Sequence, residues 1–214
     1  GSGAVQPLVT GYPFAFSNRP AQPQPGIVDI AIAPESTQWI LEQRDFVSGG
    51  PGWRLFAIAP GSHEAENVYG DDVNRPFGVG LAGDGIQVGY STPAGTWTIA
   101  MYAYAASNSA PIHTWTSTNR VIAFAEGFDS RLWVARATGV DVYRATSDGS
   151  TPFRSIVTQK PIPPYIGQRG FAIGPDLSIY VTELPDARSS VMYVNVFSPT
   201  NGKLTRRIGP LPAT

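Results

Sequence analysis

The chain of 214 residues contains no cysteine and few charged residues, which make up 14% of it. Without cysteine there is no disulfide, no thiolate metal site and no cysteine nucleophile. The charged fraction lies well below the usual quarter and stands beside 42% hydrophobic residues, which argues against a disordered chain. The net charge of −1 gives no strong field to attract nucleic acid, so we expect no nucleic-acid partner.

Long apolar runs are also missing, and no stretch approaches the ~20 residues that a membrane-spanning helix needs. No segment of helical length combines the 3.6-residue apolar period with capping residues at its ends, so we expect almost no helix. The chain has instead 23 glycines and 20 prolines. In a background of alternating apolar residues, that composition predicts many tight turns between short strands.

One strand pattern recurs four times, with steps of 49, 43 and 49 residues. The copies read DIAIAP from Asp29, GVGLAG from Gly78, VIAFAE from Val121 and GFAIGP from Gly170. Further apolar strands follow each copy, and Asn-Gly and Asp-Gly pairs mark several of the hairpins between them. A period in the forties with several strands per unit indicates a β-propeller. We therefore predict an all-β fold, a small propeller of four or five blades.

The repeats place the propeller domain at residues 27–208, between a proline-rich arm (1–26) and a short tail (209–214). The arm begins with Gly1–Gly3, which resembles an expression scar, and it could supply ring-closing strands of a fifth blade. A four-bladed ring and an open arc completed by self-association or by a partner are the other readings. We favour a closed ring, because an open arc exposes the apolar faces and strand edges of its terminal blades.

The fourth repeat reads GFAIGPDLSIYVTE and then VMYVNVFSPTNGKLTRRIG, and it resembles the repeat of NHL-type and gluconolactonase- or regucalcin-like propellers. The matching positions are Pro175, Asp176, Tyr180, Val181, Val194, Val196, Phe197 and Gly202. Leu177 stands where that repeat has a turn glycine. The resemblance implies a propeller. In gluconolactonase-like members it also implies a divalent metal in the channel that serves in lactone hydrolysis.

No catalytic constellation is evident in the sequence, and we predict no catalytic residue. His63 and His113 each stand alone, and the Glu-Gly-Pro type of motif that supplies a metal ligand in gluconolactonase-like propellers is missing. The carboxylates near predicted strand ends occupy different repeat positions: Asp29, Glu126, Asp176 and Glu183. Asp176 is expected to bond the backbone of its own turn.

One short segment has the oxygen density of a calcium site. Asp71, Asp72 and Asn74 provide two carboxylates and an amide within four positions, which are ligands that Ca²⁺ prefers. The full calcium-loop spacing is missing, and an Asx-type turn before the second repeat is the alternative that we favour. No cofactor is otherwise predicted.

Aromatic residues give the candidates for a ligand surface, since Tyr and Trp combine contact area with polar reach. The candidates are Tyr102, Tyr104, Trp115 and Tyr165. Packing between blades is the alternative role for such residues in a propeller.

The leading functional hypothesis is a non-enzymatic binding or scaffold propeller that recognises protein or carbohydrate on one face. A gluconolactonase-like hydrolase or lyase with a channel metal is one alternative, and a structural subunit of an oligomeric assembly is another. We expect a bacterial protein that is secreted or at the cell surface, with a protein or glycan ligand and no membrane span.

Overall fold

The computed structural model describes residues 26–33, 35–43, 52–62, 64, 66–83, 85–104, 110–144, 147–164, 170–185 and 191–212. These residues form sixteen β-strands and no α-helix. Accordingly, no helix within the described residues is long and apolar enough to span a bilayer.

The strands form four antiparallel sheets of four, each in chain order. Blade 1 contains β1 (Gly26–Ile32), β2 (Gln38–Gln43), β3 (Trp53–Ile58) and β4 (Glu66–Asp71). Blade 2 contains β5 (Arg75–Ala82), β6 (Gly85–Ser91), β7 (Trp97–Ala103) and β8 (His113–Ser117). Blade 3 contains β9 (Ala123–Glu126), β10 (Arg131–Arg136), β11 (Gly139–Arg144) and β12 (Arg154–Val157). Blade 4 contains β13 (Phe171–Ile173), β14 (Ile179–Glu183), β15 (Val191–Phe197) and β16 (Leu204–Pro212).

The four sheets make the molecule a four-bladed β-propeller, which confirms the fold that the repeat predicts. The first strands of consecutive blades lie side by side: β1 packs on β5, β5 on β9, and β9 on β13. Of the two predicted blade numbers, four is the one observed among the described residues.

Strands inside the array are apolar on both faces because a blade lies on each side of them. In β10, Leu132 and Val134 pack with residues of blade 2, whereas Trp133 and Ala135 pack with residues of blade 4. The four side chains are at most 7% exposed. The apolar run LWVA in this strand is therefore the sequence sign of a sheet covered on both faces.

The core consists of three buried clusters, and each joins two consecutive blades. One lies between blades 1 and 2, one between blades 2 and 3, and one between blades 3 and 4. None of the three combines residues of blades 1 and 4. On β1, Ile30 is 46% and Ile32 is 62% exposed, on the strand face opposite the one that packs against blade 2.

The turn between the first and second strands has the same conformation in blades 1, 3 and 4. Ser36, Ser130 and Leu177 occupy one position of this turn, with φ of 70°, 55° and 63°. Each donates its backbone N–H to the carbonyl three residues earlier, at 2.8 to 2.9 Å. The recurrence shows that three of the sequence repeats share local geometry as well as topology.

Blade 3 has two distinct ends, which we name for the chain segments that lie there. At the connector end, β10 finishes at Arg136, β11 begins at Gly139, and the connection from blade 2 (118–122) enters β9. At the turn end, β9 finishes at Glu126, β10 begins at Arg131 and β11 finishes at Arg144.

Candidate functional site

The predicted calcium ligands lie together in the connection between blades 1 and 2. Asp71 Oδ1 accepts the backbone N–H groups of Val73 at 2.6 Å and Asn74 at 2.9 Å, and Oδ2 accepts Asn74 Nδ2 at 2.7 Å. Asp72 pairs with Arg54 at 2.7 Å. The three residues thus form the Asx-type turn that the sequence favoured, with the Asp71 oxygens directed to the turn itself. Their role as metal ligands stays a prediction.

The aromatic candidates that the structure describes lie between blades. Tyr102 is 8% exposed and its ring centroid lies 4.4 Å from that of Tyr69. Burial and the neighbouring Tyr90, Asp71 and Tyr69 raise the pKa of the Tyr102 hydroxyl. This side chain belongs to the cluster between blades 1 and 2.

Tyr104 and Trp115 have similar packing roles. The Tyr104 hydroxyl donates to the carbonyl of Ala82 at 2.9 Å, and Trp115 is 1% exposed within the cluster between blades 2 and 3. In this conformation the three rings serve inter-blade packing. Tyr165 lies outside the described residues.

The carboxylates near the strand ends also tie parts of the fold together. Asp29 Oδ2 accepts the backbone N–H of Val79 at 3.0 Å, which links β1 to β5. Glu126 accepts the N–H of Gly83 at 3.2 and 3.3 Å, which links β9 to the end of β5. Both carboxylates therefore connect the innermost strands of consecutive blades.

Asp176 bonds its own turn, as the sequence predicts. It accepts the backbone N–H of Ser178 at 3.0 Å and the Ser178 hydroxyl at 2.8 Å, and these bonds lower the pKa of the Asp176 carboxyl.

Glu183 is the centre of a charged group on blade 4. It accepts Asn195 Nδ2 at 2.8 Å and pairs with Lys160 at 3.3 Å and Arg207 at 3.2 Å. Burial opposes ionisation of this carboxyl. The hydrogen bonds and positive charges outweigh burial, and its pKa lies below the usual value. Glu183 thereby links β14 to the connection between blades 3 and 4, where Lys160 lies.

No three His, Cys, Asp or Glu side chains converge as a metal-holding group within the described residues. His113 Nε2 lies 2.8 Å from the carbonyl of Ser147, so this ring contacts the connection between β11 and β12 of blade 3. His63 lies outside the described residues.

The described residues form a substantial groove at the connector end of blade 3. It encloses about 500 Å³, within the usual range of ligand pockets, and includes Asn119, Thr138, Asp141, Ser155 and Val157 in its lining. A second cavity of about 460 Å³ adjoins it. Both are lined by Asn119, Arg136, Asp141 and Ser155. We call the two together the connector groove.

Arg136 fixes the shape of the connector groove. Its guanidinium group donates to Asp141 at 3.2 Å, to the carbonyl of Asn119 at 2.6 Å and to the hydroxyl of Ser117 at 3.1 Å. The same group lies 5.4 Å from the ring centroid of Trp115. The side chain is only 11% exposed. Arg136 therefore holds the blade 2–3 connection against blade 3, as its planar fork of donors permits.

Asp141 completes this network and reaches the groove surface. It accepts the Arg136 guanidinium on one oxygen and the Ser155 hydroxyl on the other, the latter at 2.6 Å. The side chains left exposed around this rigid base include an amide (Asn119), hydroxyl groups (Thr138 and Ser155) and an apolar side chain (Val157, 73% exposed). Such a surface can exchange several hydrogen bonds with a hydroxyl-rich ligand and contact an apolar ring face.

Sequence reasoning did not find this groove. Its residues come from several separate segments, which include 116–122, the β10–β11 hairpin, the β11–β12 connection and β12, and no local spacing relates them. The available signal was the high proportion of arginine among the basic residues, 13 of 15, which suggested forked contacts without giving their positions.

No protein-family model and no curated protein matches the chain. The fold is similar to that of glutaminyl cyclase from Myxococcus xanthus, at 13% identity over 85% of this chain and 69% of that one, with a TM-score of 0.52. It is also similar to Raptor from Chaetomium thermophilum, at 12% identity over 85% of this chain and 16% of that one, again with a TM-score of 0.52. At these identities the similarity concerns the fold alone.

Proposed function

We propose that this propeller is a non-enzymatic binding module whose connector groove takes a carbohydrate ligand. The observation that carries the proposal is the groove lined by hydroxyl and amide groups, with the Arg136–Asp141 pair in its lining. Sugars offer vicinal hydroxyl groups and an apolar ring face. Asn119, Ser155 and Val157 are complementary to these two features.

The preorganised base of the groove further supports binding. The Arg136 guanidinium group is held by contacts with Asn119 and Ser117, so little conformational entropy remains to be lost there when a ligand binds. The carboxylates Asp29 and Glu126 are engaged by backbone N–H groups, which favours a binding role over the gluconolactonase-like alternative. The resemblance of the fourth repeat to NHL-type propellers agrees with this reading, and a secreted or cell-surface setting would suit a glycan ligand.

The test is a glycan array probed with the labelled chain, followed by calorimetric titration of the oligosaccharides that bind. Removing the Asn119 amide by Asn119→Ala is expected to weaken binding by about three- to tenfold, the value of one hydrogen bond. Val157→Asp is expected to weaken it further, because it places a charge beside the apolar contact.

Val73→Asp is the matched control. Val73 is 57% exposed in the connection between blades 1 and 2 and lines neither cavity of the groove, so this variant should bind like the parent chain. Thermal melts of the variants should agree with the parent within the range of surface substitutions. Absence of any oligosaccharide ligand, or equal weakening by Val157→Asp and Val73→Asp, would contradict the proposal.

A further inference from the structure

The turn end of blade 3 carries an exposed aromatic ring between two arginines. Phe153 is 50% exposed. The guanidinium carbon of Arg131 lies 4.4 Å from the centroid of its ring, and that of Arg144 lies 5.7 Å away. Phe128, in the neighbouring turn, is 71% exposed. We call these four residues the Arg–Phe patch.

The two arginines are direct cross-strand partners. Arg131 pairs with Arg144 in the register of β10 and β11, so both side chains leave the same face of the sheet. Like charges in directly opposed positions destabilise a sheet. The Phe153 ring offsets part of this repulsion through cation–π contacts but neutralises no charge. The two neighbouring guanidinium groups therefore favour the binding of an anionic partner.

Within the described residues, the patch makes one ion pair. Asp129 pairs with Arg131 at 3.2 Å, and Arg144, which is exposed, has no ion pair with any described residue. On the same sheet face, one strand further out, Arg154 adds a third guanidinium group beside Trp133, at 5.7 Å from its ring centroid. A local excess of positive charge thus stands on a molecule whose net charge is −1.

We propose that the Arg–Phe patch docks an acidic peptide segment of a partner protein. Arginine and aromatic residues are the types enriched at the energetic centres of protein interfaces. The guanidinium forks of Arg131 and Arg144 would take carboxylates in bidentate geometry, and the exposed rings of Phe128 and Phe153 would each offer contact area to apolar side chains.

An acidic peptide is favoured over nucleic acid because the charge is confined to one end of one blade. Nucleic-acid affinity depends on neutralising several phosphates along a backbone. A protein that binds nucleic acid in this way carries an extended basic surface. The docking surface is distinct from the connector groove, since none of the four residues of the Arg–Phe patch lines either cavity.

The experiment is selection of a random dodecapeptide phage library on the immobilised chain, followed by fluorescence anisotropy with the enriched peptides. We expect enrichment of Asp- and Glu-containing peptides, whose binding weakens as salt rises. Arg144→Ala and Phe153→Ala should each lower affinity about tenfold or more. Arg75→Ala, which removes an exposed arginine of blade 2, is the control and should leave affinity unchanged.

Three results would overturn the inference: no enrichment, enriched peptides without acidic residues, or equal binding by Arg144→Ala and the parent chain. Tighter binding of a single-stranded oligonucleotide than of the best peptide would also overturn it. Circular dichroism and thermal melts of each variant separate loss of the patch from loss of the fold. Oligosaccharide binding should survive Arg144→Ala, so failure of this inference and failure of the groove proposal are distinguishable.

Discussion

At the scale of single residues, the first turn of three blades places non-glycine residues in the left-handed region. Ser36, Ser130 and Leu177 have φ between 55° and 70°, where an L-residue is strained by about 1–2 kcal/mol. The fourth repeat departs from the NHL-type pattern at Leu177, yet the backbone there keeps the conformation that a glycine would favour. Leu177 also packs on the cluster between blades 3 and 4, which helps to offset the strain.

Ser36→Gly is predicted to stabilise the protein, because Ser36 is exposed and glycine adopts the same positive φ without strain. Release of the strain, reduced by the greater unfolded-state entropy of glycine, leaves a gain of about 0.5 kcal/mol. Urea denaturation measures it. Glu35→Gly, an exposed neighbour in the same turn without a positive φ, should instead lower stability. Destabilisation by both changes would refute the explanation.

Gly89 is predicted to be a packing requirement between blades 2 and 3. A Cβ at Gly89 would lie 2.6 Å from ring atoms of Phe77 and Phe124, too close for either aromatic ring to remain in place. Gly89→Ala should therefore cost about 1–3 kcal/mol. Gly83→Ala is the control, since its Cβ would approach Glu126 only to 3.7 Å and should cost little. Thermal melts compare the two; equal costs would argue against this packing.

At the scale of elements, carboxylates link the innermost strands of consecutive blades. Asp29 joins β1 to β5 in a buried setting, 3% exposed, whereas Glu126 joins β9 to the end of β5 where Gly83 is exposed. Asp29→Ala leaves the buried N–H of Val79 without this acceptor and should cost about 1–3 kcal/mol. Hydrogen exchange of the Val79 amide should accelerate. Glu126→Ala should lower the free energy of unfolding by less than Asp29→Ala does. A larger loss for Glu126→Ala would contradict this account of the two links.

From the interactions of Glu183, we predict that the stability of the protein depends on pH in the acidic range. Its folded-state pKa is depressed below 4.5, so its contribution is complete above that pH and is lost as pH falls through the folded-state pKa. Glu183→Gln should be less stable than the parent at pH 7 by about 1 kcal/mol or less. The two stabilities should converge as pH falls below the usual Glu pKa. A difference that stays constant with pH would contradict an ionised Glu183.

The inner strands could be predicted from sequence more completely than the outer ones. The recurring copies that begin at Asp29, Gly78, Val121 and Gly170 overlap the innermost strands β1, β5, β9 and β13. The fourth strands of blades 1 to 3 gave no such signal. Their sequences, ENVYGD, HTWTS and RSIV, lie at sheet edges, and each has only one or two buried residues among its described side chains.

At the scale of the whole molecule, the repeat predicted the architecture but could not predict the groove. The sequence period shows which residues of the four blades occupy equivalent positions. The groove is built from residues at positions that are not equivalent. Asn119, Arg136 and Ser155 meet because a connection of one blade lies over two strands of the next. The aromatic candidates Tyr102, Tyr104 and Trp115 pack with the clusters between blades, because rings suited to a ligand surface are equally suited to fill the space there.

The most direct test of the account is an amide NMR titration of the whole chain with an oligosaccharide that binds on the array. The account predicts that shifts concentrate at the connector groove, in residues 117–122, 136–141 and 155–157, and that Asn119→Ala reduces them at equal ligand concentration. Shifts confined to blades 1 and 4, or no oligosaccharide that binds at all, would contradict a carbohydrate-binding propeller.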